Sequence, residues 1–296
     1  MLSKRKFLTT SAGLTAASIL PLRADPMGKP VGIQLYTVAG PMKEDLRGTL
    51  KKIADIGYRE VETAGFGGIS AAEFRKLLDD VGLKCASCHL PLADGEDSWQ
   101  MHFDNARAVG ARYAVASTMT NHNTGKNGLD VTNPADRGDF DRTVEDMNKL
   151  GDAARKAGLV FGYHNHDFEF KKFADGKLVW DELLAKTDKN LVKIEIDCGW
   201  MVLGGYDPVD YMKRHPGRIK MLHIKDFVAS TPRPSTTTKN HQGTELGTGF
   251  IDYKPIFAAA KAAGVEHYFV EQEPPFLNMP ALEAAKADYA YLHKLS

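Results

Sequence analysis

The chain has 296 residues, 43% hydrophobic and 26% charged, with 38 basic residues against 38 acidic ones. That length supports a large buried core, and the even balance gives no global field for gathering nucleic acid or an anionic membrane. Neither partner is expected.

The N-terminus reads differently from the rest. Lys4-Arg5-Lys6 precede a mildly apolar run from Phe7 to Leu22, rich in Ser, Thr, Gly and Ala, and Ala24 offers a small residue before Asp25. This pattern predicts an export signal over residues 1–25, with a barrel domain over 26–296. Ser3-Lys4-Arg5-Lys6-Phe7-Leu8 is similar to the twin-arginine consensus, with Lys replacing the first Arg. The apolar run falls short of the ~20 residues that span a bilayer, so a mature periplasmic protein free of the membrane is expected.

From Val31 onward, short β-rich segments alternate with amphipathic helices. The predicted strands are Val31–Tyr36, Glu60–Glu62, Lys84–Cys88, Tyr113–Ser117, Val160–His164, Val192–Asp197, Ile219–Ile224 and Tyr268–Glu271. Leu46–Ile56 and Ala71–Val81 carry apolar residues at helical spacing, and Gly57, Gly82, Gly110, Gly158 and Gly264 supply helix stops. Eight such units without a linker indicate an α/β fold, a single-domain (β/α)₈ TIM barrel. A doubly wound sheet is the competitor, but Gly65-Phe66-Gly67-Gly68 lacks the spacing of a dinucleotide turn. Two insertions, Thr118–Asp139 and Ala229–Phe250, follow strands and so belong on the face where barrel enzymes build their sites. Cys85 and Cys88, three apart in a strand pattern, are expected on opposite faces, and with Cys198 are read as buried, inert thiols.

Several strands end on metal-binding residue types. Asp197, His223 and Glu271 close three consecutive strands of the second half, where carboxylates and imidazoles at a barrel's C-terminal mouth read as ligands. Glu273 shares the parity of Glu271 and competes with it for that role. In strand five, His164 and His166 are expected on one face, with Glu169 beyond; any of the three could supply a fourth ligand, and His166 is preferred. Such a mixed set suits Mn²⁺, Co²⁺, Fe²⁺ or Zn²⁺, with Mn²⁺ favoured, and a metal chelated by a hydroxyl and a carbonyl acidifies the proton between them. Glu169, Glu271 and His164 are the candidates for moving that proton. Glu62, His89, Trp200 and Lys225 are candidate substrate contacts at the same mouth.

The segments Gly32–Val38, Gly162–Phe170, Asp197–Trp200, His223–Asp226 and Val270–Gln272 together resemble the xylose isomerase-like superfamily, more narrowly its exported sugar phosphate isomerase/epimerase branch. The resemblance implies a TIM barrel with one divalent metal held by Glu, Asp, His and Glu from strands five to eight. Asp197, His223 and Glu271 match the last three, while strand five carries His-Asn-His where ketose epimerases carry Glu. Inosose dehydratases have a similar His-rich strand, and endonuclease IV, which shares the fold, needs a His where Trp200 stands. The implied function is a metal-dependent isomerase or epimerase of an unphosphorylated sugar or keto-sugar, acting through an enediolate. A 3-keto-glycoside lyase or inosose-type dehydratase using the same first step is the alternative, and a non-catalytic sugar-binding protein the second.

Overall fold

The computed structural model describes residues 25–91, 95–121, 126–127, 137–235 and 241–295. Most of the expected export signal lies outside them, as do parts of both insertions. Among the described residues no helix is long and apolar enough to cross a membrane.

Eight parallel strands close into a barrel in chain order: β1 Gly32–Gln34, β2 Glu60–Thr63, β3 Lys84–His89, β4 Tyr113–Ala116, β5 Val160–His164, β6 Val192–Asp197, β7 Ile219–Ile224 and β8 His267–Val270, with β8 returning to β1. The TIM-barrel reading holds. Helices α2 (Leu46–Ile56) and α3 (Ala71–Val81) have the predicted bounds, and their termini explain why. Asp45 accepts from the Gly48 amide at the start of α2, Ser70 and Glu73 form a reciprocal capping box on α3, and Gly82 ends α3 in the left-handed conformation at φ 75°.

The barrel interior is plugged below the mouth by Ala86, Tyr113, Val115, Met221 and Phe269. Gly32 makes room for this plug, since a Cβ there would meet Phe269 Cδ1 at 2.5 Å. The second apolar layer, between strands and helices, is far larger and holds fully buried Phe74, Phe161, Tyr163, Trp180 and Tyr253. Burial on both sides explains why β4, Tyr113-Ala114-Val115-Ala116, reads as a continuous apolar run.

Strand β3 corrects one expectation. Its pairing with β2 shifts register between Val61 and Glu62, so that Val61 faces Cys85 and Glu62 faces Ser87. The extra residue, Ala86, points into the barrel, and Cys85 and Cys88 both fall in the outer apolar layer instead of on opposite faces. Cys85, Cys88 and Cys198 are free and buried, and burial pushes the Cys88 thiol up to about 11, which fits inert thiols.

Candidate metal centre

Strand register decides which side chains meet. His164 is level with Glu195, Asp197 with His223, and His223 with Phe269, so Glu271 stands two residues above that level, just beyond the end of β8. Parallel neighbours at one level face the same side, so His164, Glu195, Asp197, His223 and Glu271 converge on the axis, joined from β2 and β3 by Glu62 and His89.

Two overlapping groups have donors within 4.8 Å of one another: His89, His164, Glu195 and His223, and His164, Asp197, His223 and Glu271. His223 is central to both, with Nδ1 3.0 Å from Glu271 Oε2 and Nε2 2.5 Å from Glu62 Oε2. Glu62 is oriented in turn by Gln34 Nε2, which donates to it at 2.8 Å. Asp197 has two tasks: Oδ1 accepts from the Trp200 amide and caps the helix Cys198–Leu203, while Oδ2 turns to the cluster, 3.8 Å from His164 Nε2. Lys225 Nζ lies 2.9 Å from Asp197 Oδ2, 2.7 Å from Glu271 Oε2 and 2.7 Å from Glu273 Oε1.

This concentration of buried charge sets the protonation states. Burial opposes charge on His223, but Glu195, Glu271 and Glu62 hold its pKa well above the ordinary imidazole value. His89 is likewise held at about 10, because Glu62 and Glu195 outweigh its burial. His164 goes the other way: burial, reinforced by the other imidazoles, keeps it neutral. Burial lifts Asp197 to about 6 and Glu195 to about 7, the latter also repelled by Glu62. Glu271 is held well below the ordinary range by Lys225 and His223, which overcome its burial.

The residues fit a divalent ion. Glu62 Oε1, Glu195 Oε1 and Asp197 Oδ2 are buried and accept no hydrogen bond, although Lys225 lies near the last. Buried carboxylate oxygens with unused acceptor capacity, beside imidazole nitrogens, form a ligand set that a cation would complete. Outside the cluster a cavity of about 530 Å³ opens on one side, lined by Trp200, Lys225, Phe227, His241 and Glu273. A second of about 500 Å³, lined by Phe66, His89, Met101 and Thr118, opens on the β3 side. The described end of the second insertion thus reaches the mouth, as its position after a strand predicts.

The model of the xylose isomerase-like TIM barrel family matches residues 50–295. The chain belongs to that family. An inosose dehydratase from Geobacillus thermodenitrificans (strain NG80-2) is 28% identical over 248 residues, covering 74% of this chain and 82% of the relative. Another, from Lacticaseibacillus casei, is 27% identical over 243 residues, covering 75% and 80%. The solved structure of a sugar phosphate isomerase/epimerase from Parabacteroides distasonis ATCC 8503 superposes with a TM-score of 0.73 at 26% identity, covering 90% of this chain and 93% of that one. These relatives make this xylose isomerase-like barrel an enzyme.

Within it, Asp197, His223 and Glu271 come together with His164. His166 does not join either group, and Glu169 leaves the mouth altogether, so both placements correct the sequence reading. Strand β5 ends at His164 because Asn165 spends its amide on the neighbouring main chain, accepting from Asp197 N at 3.0 Å. Beyond that point the two-residue alternation no longer applies. His166 lies on the rim, 6.5 Å ring to ring from Trp200, with Nδ1 lacking a hydrogen bond and with burial holding its pKa down at about 4. Glu169 accepts from the Tyr163 hydroxyl at 2.6 Å and the His166 amide at 2.9 Å, and burial lifts it to about 8. Tyr163 faces the outer layer, so Glu169 is a brace behind the strand.

Glu62, expected as a substrate contact, sits deeper than that, against the imidazole of His223, whereas His89 stacks on His223 and also lines the β3-side cavity. Trp200 is 3% exposed and packs on Phe227 and His241, with Lys225 Nζ 5.0 Å above its ring. Glu195 is the residue the sequence reading passed over, although its two-residue spacing from Asp197 places it on the same face. Asp226 likewise carries no candidate role in the sequence pattern. Its carboxylate accepts from the amides of Phe227, Gly247, Gly249, Phe250 and Ile251, and so anchors the loop beside the larger cavity.

Proposed function

We propose that this barrel is a divalent-metal-dependent dehydratase or lyase of an unphosphorylated keto-sugar or keto-cyclitol. It would remove the proton next to the carbonyl and expel a β-oxygen from the resulting enediolate. The carrying observation is His89: a cavity-lining imidazole whose Nε2 lies 3.1 Å from Glu62 and 3.3 Å from Glu195, two carboxylates that favour its protonated form. Isomerisation and epimerisation return a proton to carbon and release no oxygen leaving group, whereas expelling hydroxide or alkoxide needs a proton donor for the oxygen. His89 is that donor. Likeness to inosose dehydratases over three quarters of the chain supports the same class.

His164, Asp197, His223 and Glu271 would hold the ion, and bound there it would polarise the substrate carbonyl. His166, uncharged and with Nδ1 unpartnered, would accept the carbon-bound proton at the rim. Lys225 would hold Asp197 and Glu271 in place and present its ammonium to a substrate oxygen. Trp200 and Phe227 would give the sugar ring an apolar wall. The expected export signal would place the reaction in the periplasm, where phosphorylated sugars are scarce.

Isomerisation or epimerisation is the second reading, favoured by the likeness to the isomerase/epimerase from Parabacteroides distasonis. Incubating metal-loaded protein with 3-keto-glucosides, inososes and free ketoses in D₂O separates the two. Release of water or aglycone supports elimination, and deuterium incorporation without release overturns it in favour of isomerisation or epimerisation. His89→Ala should abolish release while leaving exchange of the carbon-bound proton detectable.

A further inference from the structure

The lower part of the cluster has a geometry of its own. Glu195 Oε2 lies 3.3 Å from His89 Nε2, 3.1 Å from His164 Nδ1 and 3.4 Å from His223 Nε2. Four donors placed tetrahedrally at the 2.0–2.1 Å typical of zinc bonds to nitrogen and oxygen stand about 3.3 Å from one another. Three edges of that polyhedron are therefore already at length, and all four residues have donors within 4.8 Å of one another.

The opposite nitrogens of two rings serve the upper group. His223 turns Nε2 down to Glu195 and Nδ1 up to Glu271, at 3.0 Å; His164 turns Nδ1 down to Glu195 and Nε2 up to Asp197. An ion held by the lower nitrogens leaves the upper N–H groups aimed at carboxylates, the arrangement that orients metal-bound imidazoles. Glu62 Oε2 stands 3.1 Å from His89 Nε2 and 2.5 Å from His223 Nε2, so it supplies a second negative charge or a fifth ligand.

We propose that His89, His164, Glu195 and His223 form a second metal seat, selective for Zn²⁺-class ions and exclusive with the upper one. Exclusivity follows from the rings: a neutral imidazole has a lone pair on one nitrogen only, so His164 and His223 serve one seat at a time. Selectivity follows from the donors. Three imidazoles and one carboxylate suit Zn²⁺, while the upper group, with Asp197 and Glu271, is richer in oxygen and suits Mn²⁺. The inference deepens the function proposed above, because an ion on His89 Nε2 occupies the lone pair that carries the proton for the leaving oxygen. Zn²⁺ in the lower seat therefore inhibits elimination that Mn²⁺ in the upper seat supports.

The test is equilibrium binding to metal-free full-length protein, with a chromophoric chelator competing for Zn²⁺ and spin resonance counting free Mn²⁺. His89→Ala and Glu195→Gln should weaken Zn²⁺ by at least the roughly 10–100-fold that loss of a mere outer-shell partner costs, and leave Mn²⁺ within about threefold. Glu271→Gln should weaken Mn²⁺ more than Zn²⁺. Co²⁺ added to wild type should give the intense visible absorption of four-coordinate cobalt, lost in His89→Ala. Thermal melts check that each variant is folded, and two independent lower-seat variants cover the failure of one. If neither lower-seat variant changes Zn²⁺ binding while Glu271→Gln weakens both ions, the lower seat is refuted and the upper one stands. If no variant weakens either ion, both seats fall.

Discussion

Replacing Lys225 by Met should destabilise the metal-free protein far more than the ion-loaded one, because the ammonium and a divalent ion neutralise the same oxygens. Lys225 is 4% exposed, and Nζ lies 2.9 Å from Asp197 Oδ2 and 2.7 Å from Glu271 Oε2. At an effective dielectric constant near 20, each contact is worth about 6 kcal/mol of Coulomb attraction, most of it offset by the cost of burying the ammonium. Removing one partner of such a buried group costs about 3–5 kcal/mol, since the carboxylates remain behind unpaired. For a domain of this size that corresponds to a fall in Tm of roughly 6–20 °C. Saturating Mn²⁺ should recover most of the loss, and Lys225→Met should bind the ion more tightly than wild type, since no ammonium competes. The assay is differential scanning calorimetry of metal-free and metal-loaded forms at pH 8. An unchanged metal-free Tm, or a gain on adding Mn²⁺ no larger than in wild type, would refute the reasoning.

Three further outcomes are expected. Asp288 accepts from the Leu246 amide at 2.7 Å, and burial raises its pKa from 3.8 to about 7. The folded state therefore keeps a proton that the unfolded chain loses, so the stability from this group is fully present below pH 3.8 and is lost as pH rises to about 7. Asp288→Asn keeps the acceptor without the charge, and urea unfolding should find it up to about 4 kcal/mol more stable than wild type at pH 8 but equal near pH 4. Gly199→Ala would drive a methyl group into Lys225 Cγ and to 3.1 Å from Phe227 Cε2, so a loss of about 1–3 kcal/mol and a fall in kcat should appear together in melts and assays. Glu169→Gln should leave kcat within about threefold of wild type while costing about 1–2 kcal/mol in melts, because its carboxyl braces Tyr163 and the His166 amide; a collapse of kcat in a folded variant would restore it to the reaction.

The strand pattern is most legible in the second half of the barrel. The bounds of β5, β6 and β7 are those the pattern predicts, and they carry His164, Asp197 and His223. Strand β1 ends earlier than its apolar run, because the Gln34 side chain accepts from the Tyr36 amide and starts a 3₁₀ turn over Leu35–Val38. What alternation could not convey is where it stops. His164 and His166 share a face only if β5 continues through Asn165, and the cross-strand bonds of Asn165 to Asp197 end it. Ala86 shifts phase in β3 in the same way, carrying Cys88 outward.

Glu195 exposes a different limit. Its parity with Asp197 is plain in the sequence, yet parity places a residue on the axis without giving its height. Height comes from the register between strands: His164 is level with Glu195, and Asp197 with His223, so each imidazole meets one carboxylate below and another above. Two stacked levels of donors on shared rings follow from that stagger. Strand ends name His89, His164 and His223 but not Glu195, and the lower level is assembled only by pairings among residues as distant as His89 and His223. The lower level is also where Glu62 and His89 acquire a role beyond touching substrate, and it is there that a choice between ions, and so between an active and an inhibited enzyme, would be made.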